Sequence, residues 1–182
     1  MIVIINFVGL LIAAASLAAI IFSALYPARR IWPPQSYGRT TKAVVWALTL
    51  TLFGALIALG VLGWGNIAAP QWLRFGAGPL LIVLGNLIVW REVTDFGIDQ
   101  TSGASGTLKT TGLYRFSRNP QYVADIAIVL GWLLLSASID AVAVGLAIIA
   151  LLVAAPFAEE PWLHEEYGDE YARYTEIVRR YL

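Results

Sequence analysis

Residues 122–157 read YVADIAIVLGWLLLSASIDAVAVGLAIIALLVAAPF, and this stretch decides the fold. Two apolar segments, 122–136 and 141–157, are joined by the short turn sequence SASID. A connection of about two to five residues between apolar helices is typical of an antiparallel helical hairpin. The stretch therefore predicts two helices that pack side by side, so that the first begins beside the end of the second.

The composition of the whole chain places this hairpin in a membrane. The 182 residues are 59% hydrophobic and 13% charged, whereas soluble domains have about 25% charged residues. Helices are the expected spanning elements, because backbone polar groups in lipid must bond internally, and a span takes about 20 apolar residues. Candidate spans lie at 2–26, 43–64, 73–90, 122–136 and 141–157. We expect an all-α integral membrane five-helix bundle, a single domain over 1–182 with three of its helices in 1–90.

Basic residues lie almost entirely on one side of this arrangement. Arg74 is alone on one side, and the other eleven of the twelve lie in the loop between the first two helices, in the loop 91–121 or in the tail 158–182. Basic loops of membrane proteins are cytoplasmic. We therefore expect a multi-pass protein of a bacterial or archaeal inner membrane, with its N-terminus outside and its C-terminus in the cytoplasm. Whether the loop segment 91–111 closes over a ligand stays open.

The tail 158–182 has the pattern of amphipathic helices. Apolar residues recur at spacings of three and four, which gives one stripe along a helix. Gly168 followed by Asp169 is typical of a helix end and a new cap, so we expect two short helices. The stripe is expected to pack on the bundle or to lie in the membrane interface. It consists of Leu163, Tyr167, Tyr171, Tyr174 and Val178.

The composition also excludes several function classes. The formal net charge is 0, so the chain has no basic field for nucleic acid. There is no cysteine and only one histidine, His164, which excludes disulfides, thiolate ligands and a histidine-rich metal site. We therefore expect membrane lipids and a small molecule as partners, and neither nucleic acid nor a metal.

Two polar clusters lie at the cytoplasmic end of the predicted hairpin. The sequence GLYRFSRNPQY, residues 112–122, leads into its first helix, and Glu159-Glu160 follows its second. The antiparallel arrangement brings Arg118 close to the glutamate pair. Arginine binds carboxylates through two parallel hydrogen bonds, glutamate accepts from ammonium or hydroxyl groups, and tyrosine stacks on aromatic rings. The clusters suit a zwitterionic, partly aromatic ligand, although interfacial arginine, glutamate and tyrosine are also common membrane anchors.

Asp125 lies inside a predicted span, close to its start. An ionisable side chain within a span is costly and indicates a functional site. A carboxylate near a helix N-terminus also interacts favourably with the helix dipole. Both interpretations stay open at this point.

These motifs resemble the isoprenylcysteine carboxyl methyltransferase and phospholipid methyltransferase superfamily of integral membrane enzymes. The resemblance covers residues 108–182 and rests on TTGLYRFSRNPQYVADI, residues 110–126, followed by EEPWLHEEYGDEYARYTEIVRRYL, residues 159–182. Its matching positions are Gly112, Tyr114, Arg115, Arg118, Asn119, Pro120, Tyr122, Glu159, Glu160, Tyr167, Gly168, Tyr171 and Tyr174.

The resemblance implies an enzyme that binds S-adenosylmethionine in a cytoplasm-facing pocket within 108–182 and methylates a lipophilic, prenyl- or lipid-linked substrate. We take Asp125 and Arg118 as catalytic candidates, and no residue as a metal ligand. The cofactor-binding residues it implies are Leu113, Tyr114, Arg118, Asn119, Tyr122, Glu159 and Glu160.

One position departs from the family pattern, because Asn119 replaces a histidine. Asparagine forms hydrogen bonds but does not titrate near neutral pH, so it can position a cofactor but cannot transfer a proton. The methyl acceptor stays open among a carboxylate, an amine and a thiol. The alternatives are an NADPH-dependent membrane reductase of the sterol-reductase type and a non-catalytic scaffold. Segment 91–111 has only Arg91 and Lys109 to bind a 2′-phosphate, which disfavours the reductase.

Overall fold

The computed structural model describes residues 1–36, 38–96 and 106–182, with the backbone only at 95 and 96. This part of the chain contains five α-helices and no strand, which confirms the predicted all-α fold. The helices are α1 Ile2–Leu25, α2 Arg39–Leu62, α3 Gly78–Phe96, α4 Pro120–Ser136 and α5 Ile139–Ile177. Because α3 extends to Phe96, the loop after it is shorter than predicted. Residues 97–105, on which loop closure depends, lie outside the described residues.

The helices have the lengths that a membrane requires. Four apolar segments are long enough to cross a bilayer. They are α1, α2, α5, and α3 together with the π-helical turn Leu73–Ala77 that precedes it. Helix α4 is apolar and has 17 residues, which gives about 26 Å against a hydrocarbon core of about 30 Å. The protein is an integral membrane protein.

Small residues allow the helices to approach closely. Helices α3 and α4 meet where a Cβ added at Gly131 would lie 2.7 Å from the carbonyl oxygen of Gly78, and one at Gly85 would lie 2.7 Å from that of Ala124. Helix α1 packs along α5, with Gly9 against Val144. The apolar core between α1, α2, α4 and α5 includes Leu56, Leu59, Val129, Val144 and Ile148.

The turn between α4 and α5 forms the predicted hairpin. Ala137 takes a left-handed conformation with φ 44°, and the Ser138 hydroxyl donates a 3.0 Å hydrogen bond to the Leu59 carbonyl oxygen of α2. Helices α4 and α5 run antiparallel from this turn and pack together. The start of α4 therefore lies beside the middle of α5.

Helix α5 differs from the prediction at its end. It does not stop at 157; it continues through Pro156, Pro161 and the glutamate pair to Ile177. The change from apolar to polar residues near 158 marks a change of surroundings rather than a helix end. The predicted break at Gly168 is present as a kink with φ 52° and ψ −130°, a conformation that glycine adopts without a Cβ clash.

The part of the stripe that follows this kink packs against other segments of the protein. Tyr171, Tyr174 and Val178 are buried, and Leu108 and Tyr114 pack against them. The stripe therefore packs on the bundle, which is one of the two locations expected for it, and does not lie in the membrane interface. The tail thereby covers the segment that leads into α4.

Candidate ligand-binding cleft

A polar, aromatic-lined cleft lies where α4 begins beside the middle of α5. Its walls come from four parts of the chain: the α1–α2 connection, the segment before α4, the first turn of α4, and α5. Seven of the sixteen described residues that line it are tyrosine or tryptophan. The lining consists of Trp32, Pro33, Thr107, Leu108, Lys109, Tyr114, Arg118, Asn119, Gln121, Tyr122, Glu159, Trp162, Leu163, Tyr167, Tyr171 and Tyr174.

Glu159 is the carboxylate that lines the cleft. Its Oε1 accepts a 2.7 Å hydrogen bond from the Trp32 indole N–H and another from the Tyr122 hydroxyl. Trp32 is held in turn by the buried Ser23, whose hydroxyl oxygen accepts the backbone N–H groups of Ile31 and Trp32 at 2.9 and 3.0 Å. Both side-chain donors reach the same oxygen, so these two bonds leave the other oxygen of Glu159 unused.

Glu160, the next residue, points to a cluster of two arginines. Its carboxylate lies 3.3 Å from Nη2 of Arg118 and receives two hydrogen bonds from Arg180, at 2.8 Å from Nε and 2.6 Å from Nη2. The side chains of Arg118 and Glu160 are only 12% and 13% exposed. Arg118 Nε is buried and has no hydrogen-bond partner among the described residues.

Asn119 contacts both the cleft and the C-terminus. Its side-chain amide donates a 3.0 Å hydrogen bond to the Arg180 carbonyl oxygen, and its backbone N–H donates to the Ser117 hydroxyl at 3.1 Å. Asn119 thus has an amide donor at the position where the family pattern has a histidine imidazole.

The opposite wall is built around Tyr114. Lys109 lies 5.6 Å from the centre of its ring and forms a 3.3 Å ion pair with the buried Glu92 of α3. The Tyr174 hydroxyl donates a 2.7 Å hydrogen bond to the Tyr114 carbonyl oxygen. Burial, with the nearby charge of Glu92, raises the pKa of the Tyr114 phenol, which therefore stays neutral and can donate a proton in a hydrogen bond.

The structure brings most of the predicted site residues together. Five of the seven proposed cofactor-binding residues line the cleft; Glu160 lies behind it against Arg118, and Leu113 is not among the lining residues. Asp125 does not line it either. It lies one turn deeper on α4 than Tyr122, half-buried, and the described residues supply no hydrogen bond or ion pair to it. The five residues are Tyr114, Arg118, Asn119, Tyr122 and Glu159.

Sequence reasoning missed several contributors to the site. Trp32 was passed over in a loop treated only as basic, although a tryptophan before two prolines in a polar connection is a usable signal. Glu92 was missed as an acidic residue at the end of a span. Arg180 entered only as a charge that orients the chain, and Lys109 entered as such a charge and as a possible partner of a 2′-phosphate.

The fold and the cleft define a class: helical membrane proteins with an aromatic-lined cleft at one end of a helical hairpin. The sequence profile described as phospholipid methyltransferase matches residues 73–170, more than half of the chain. The chain belongs to the phospholipid methyltransferase family, a membrane methyltransferase-type family. The resemblance noted from the motifs is thereby confirmed.

A curated relative comes from a different enzyme group. The chain is 26% identical over 112 residues to the steroid 5-alpha-reductase DET2 of Solanum lycopersicum. The match covers 61% of this chain and 43% of the relative, so the chain spans less than half of that protein's length. No solved structure matches the chain with statistical significance.

Proposed function

We propose that this protein is an S-adenosylmethionine-dependent methyltransferase that acts on a lipophilic, prenyl- or lipid-linked substrate at the cytoplasmic face of the membrane. The observation that carries the proposal is the pairing of SRNPQY with EEPW across the hairpin, where Arg118, Tyr122 and Glu159 line one aromatic cleft. Membership of the phospholipid methyltransferase family supports the same activity. The basic residues on the cleft side of the bundle support its cytoplasmic location.

The groups in the cleft fit this cofactor. S-adenosylmethionine has a carboxylate, an ammonium, a sulfonium and an adenine ring. Arg118, whose Nε has no partner among the residues that the structure describes, suits the carboxylate. The oxygen of Glu159 that Trp32 and Tyr122 leave unused suits the ammonium or a ribose hydroxyl. Tyrosine and tryptophan rings suit both a cation and a flat base.

Each residue of the site then has its own role in methyl transfer. The bound cofactor supplies a methyl group already activated for displacement. Arg118 and Glu159 orient it, the aromatic walls exclude water, and alignment of the acceptor with the methyl group accounts for several kcal/mol of the barrier. Asp125, deeper on α4, accepts the proton when the acceptor is an amine. A carboxylate acceptor needs no such base.

The second candidate function is an NADPH-dependent membrane reductase, favoured by the similarity to a steroid 5-alpha-reductase. The phosphates of NADPH require cationic partners. Both basic residues that line the cleft already face carboxylates, Lys109 against Glu92 and Arg118 against Glu160. Among the described lining residues this leaves only the remaining donors of Arg118, which suit one carboxylate but are too few for the several phosphate groups of NADPH, and this supports the methyltransferase over the reductase.

Binding measurements on the purified protein test the proposal. In isothermal titration calorimetry, S-adenosylhomocysteine is expected to bind, and Arg118→Ala or Glu159→Ala is expected to weaken it at least tenfold, about 1.4 kcal/mol, because these two side chains line the cleft. Arg173→Ala is the matched control, because Arg173 is exposed on the same tail. A rise in melting temperature with NADPH but not with S-adenosylhomocysteine would favour the reductase. A protein that binds neither would fit a scaffold.

A further inference from the structure

Residues 178–182, here called the C-terminal strap, lie against the segment that leads into α4 and against α5. Helix α5 ends at Ile177, and Val178 is extended, with φ −113° and ψ 132°. The chain then turns back toward the segment that leads into α4. The sequence pattern placed Val178 in the apolar stripe and assigned no contact to residues 179–182.

One set of contacts joins the strap to the SRNPQY segment. The backbone N–H of Arg118 donates to the Arg179 carbonyl oxygen at 2.9 Å. The Arg180 carbonyl oxygen accepts from the Asn119 side chain at 3.0 Å and from the Ser117 hydroxyl at 3.4 Å. Two consecutive strap carbonyls therefore hold three consecutive residues of this wall.

A second set of contacts joins the strap to α5. The Arg180 guanidinium lies 4.0 Å from the centre of the Phe157 ring and forms its two hydrogen bonds with Glu160. The Tyr181 hydroxyl donates to the Val153 carbonyl oxygen at 2.5 Å. Residues 153, 157 and 160 share one face of the helix. The strap therefore packs against that face of α5.

Arg180 and Arg118 share the single carboxylate of Glu160. Arg180 takes both oxygens through a bidentate contact, whereas Arg118 reaches one of them at 3.3 Å through Nη2. Bidentate pairing fixes the plane of a carboxylate as well as its position. Without Arg180, Glu160 is free to rotate and to take a bidentate contact with Arg118, which would engage Nε, now without a partner among the described residues, in addition to Nη2.

We propose that Arg180 is a positioning residue: by holding Glu160, it keeps the guanidinium of Arg118 available for the carboxylate of the bound ligand, and Asn119 fastens the strap in this position. The inference rests on the proposed function for the identity of that ligand. It gives Asn119 a role that needs a hydrogen-bond donor and no titration.

The test compares two ligands that differ in the carboxylate. S-adenosylhomocysteine has the amino-acid group, and 5′-methylthioadenosine lacks it. Arg180→Ala is expected to raise the Kd of S-adenosylhomocysteine about tenfold and to leave the Kd of 5′-methylthioadenosine within about twofold. Arg180→Lys retains the charge but not the bidentate geometry, so it is expected to give an intermediate Kd even if the alanine variant folds poorly.

Arg179→Ala is the matched control, because its exposed side chain can be removed while its backbone carbonyl remains. Since Arg180 acts through Arg118, Arg118→Ala combined with Arg180→Ala is expected to bind S-adenosylhomocysteine no more weakly than Arg118→Ala alone. Equal loss of both ligands, or multiplied effects in the double variant, would overturn the positioning role. Failure of the native protein to bind S-adenosylhomocysteine would overturn the proposed function together with this inference.

Discussion

At the scale of single residues, Glu159 connects the two halves of the chain. Trp32, 127 positions earlier, and Tyr122, 37 positions earlier, both donate to its Oε1. A hydrogen bond to a charged group contributes about 1.5–3 kcal/mol. The orientation of this carboxylate therefore depends on a loop that belongs to the N-terminal helices.

Trp32→Phe tests this dependence. It removes the indole N–H while retaining an aromatic ring, so Glu159 keeps only the Tyr122 donor. We expect the Kd of S-adenosylhomocysteine to rise about tenfold in calorimetry. Trp72→Phe is the control, since Trp72 is 69% exposed and lies at the other end of the bundle. Equal affinities of native protein and Trp32→Phe would show that this bond does not position Glu159.

Asp125→Asn separates catalysis from binding. Asp125 does not line the cleft, so the Kd of S-adenosylhomocysteine is expected to stay unchanged. If the acceptor is an amine, transfer of labelled methyl from S-adenosylmethionine into extracted lipid is expected to fall about a hundredfold, because the proton acceptor is lost. Asp169→Asn, an exposed carboxylate change, is the control. Full turnover on every accepted substrate would exclude Asp125 as an essential base.

At the scale of helices, α3 and α4 pack through backbone rather than through large side chains. A Cβ at Gly131 would lie 2.7 Å from the Gly78 carbonyl oxygen and 2.9 Å from Cγ1 of Ile82. Because the closest atom is backbone, it cannot move aside without displacing a helix. This contact places the start of α4, and with it Tyr122, relative to α3 and Glu92.

Gly131→Ala is expected to destabilise the protein by about 1–3 kcal/mol, the usual cost of overpacking. The loss of stability is measured as a lower midpoint temperature of thermal unfolding in detergent. Gly54→Ala is the matched control, since no atom of the described residues lies within 4 Å of a Cβ at this position in α2. It is expected to be neutral or to stabilise by up to about 1 kcal/mol. Equal midpoints for the two variants would mean that the close approach of α3 and α4 is not required.

At the scale of the whole molecule, orientation in the membrane can be measured directly because the chain has no cysteine. Ser36, before α2, and Gln71, in the connection from α2 to α3, are both exposed. In intact cells a membrane-impermeant maleimide is expected to label the Gln71→Cys variant and not the Ser36→Cys variant, since basic loops are cytoplasmic. Permeabilised cells are expected to label both, and the native protein provides the blank. The reverse pattern would place the cleft outside.

The sequence alone was sufficient to predict the helices, the hairpin and the contact between Arg118 and Glu160. These features depend on apolar length, on a short turn and on the pairing of neighbouring helices, all of which are local in the chain. The end of α5 was predicted wrongly, because the sequence marks the change from lipid to polar surroundings at 158 and not the continuation of the helix through two prolines.

The tertiary structure alone decided which distant residues complete the cleft. Trp32 reaches Glu159 because α1 packs along α5, and Arg180 reaches Glu160 because the chain turns back after Ile177. Neither contact follows from a periodic pattern, since each depends on how separate segments pack against one another. Local patterns thus determined the helices and one side of the site, and packing over long sequence distances determined how its charged groups are held.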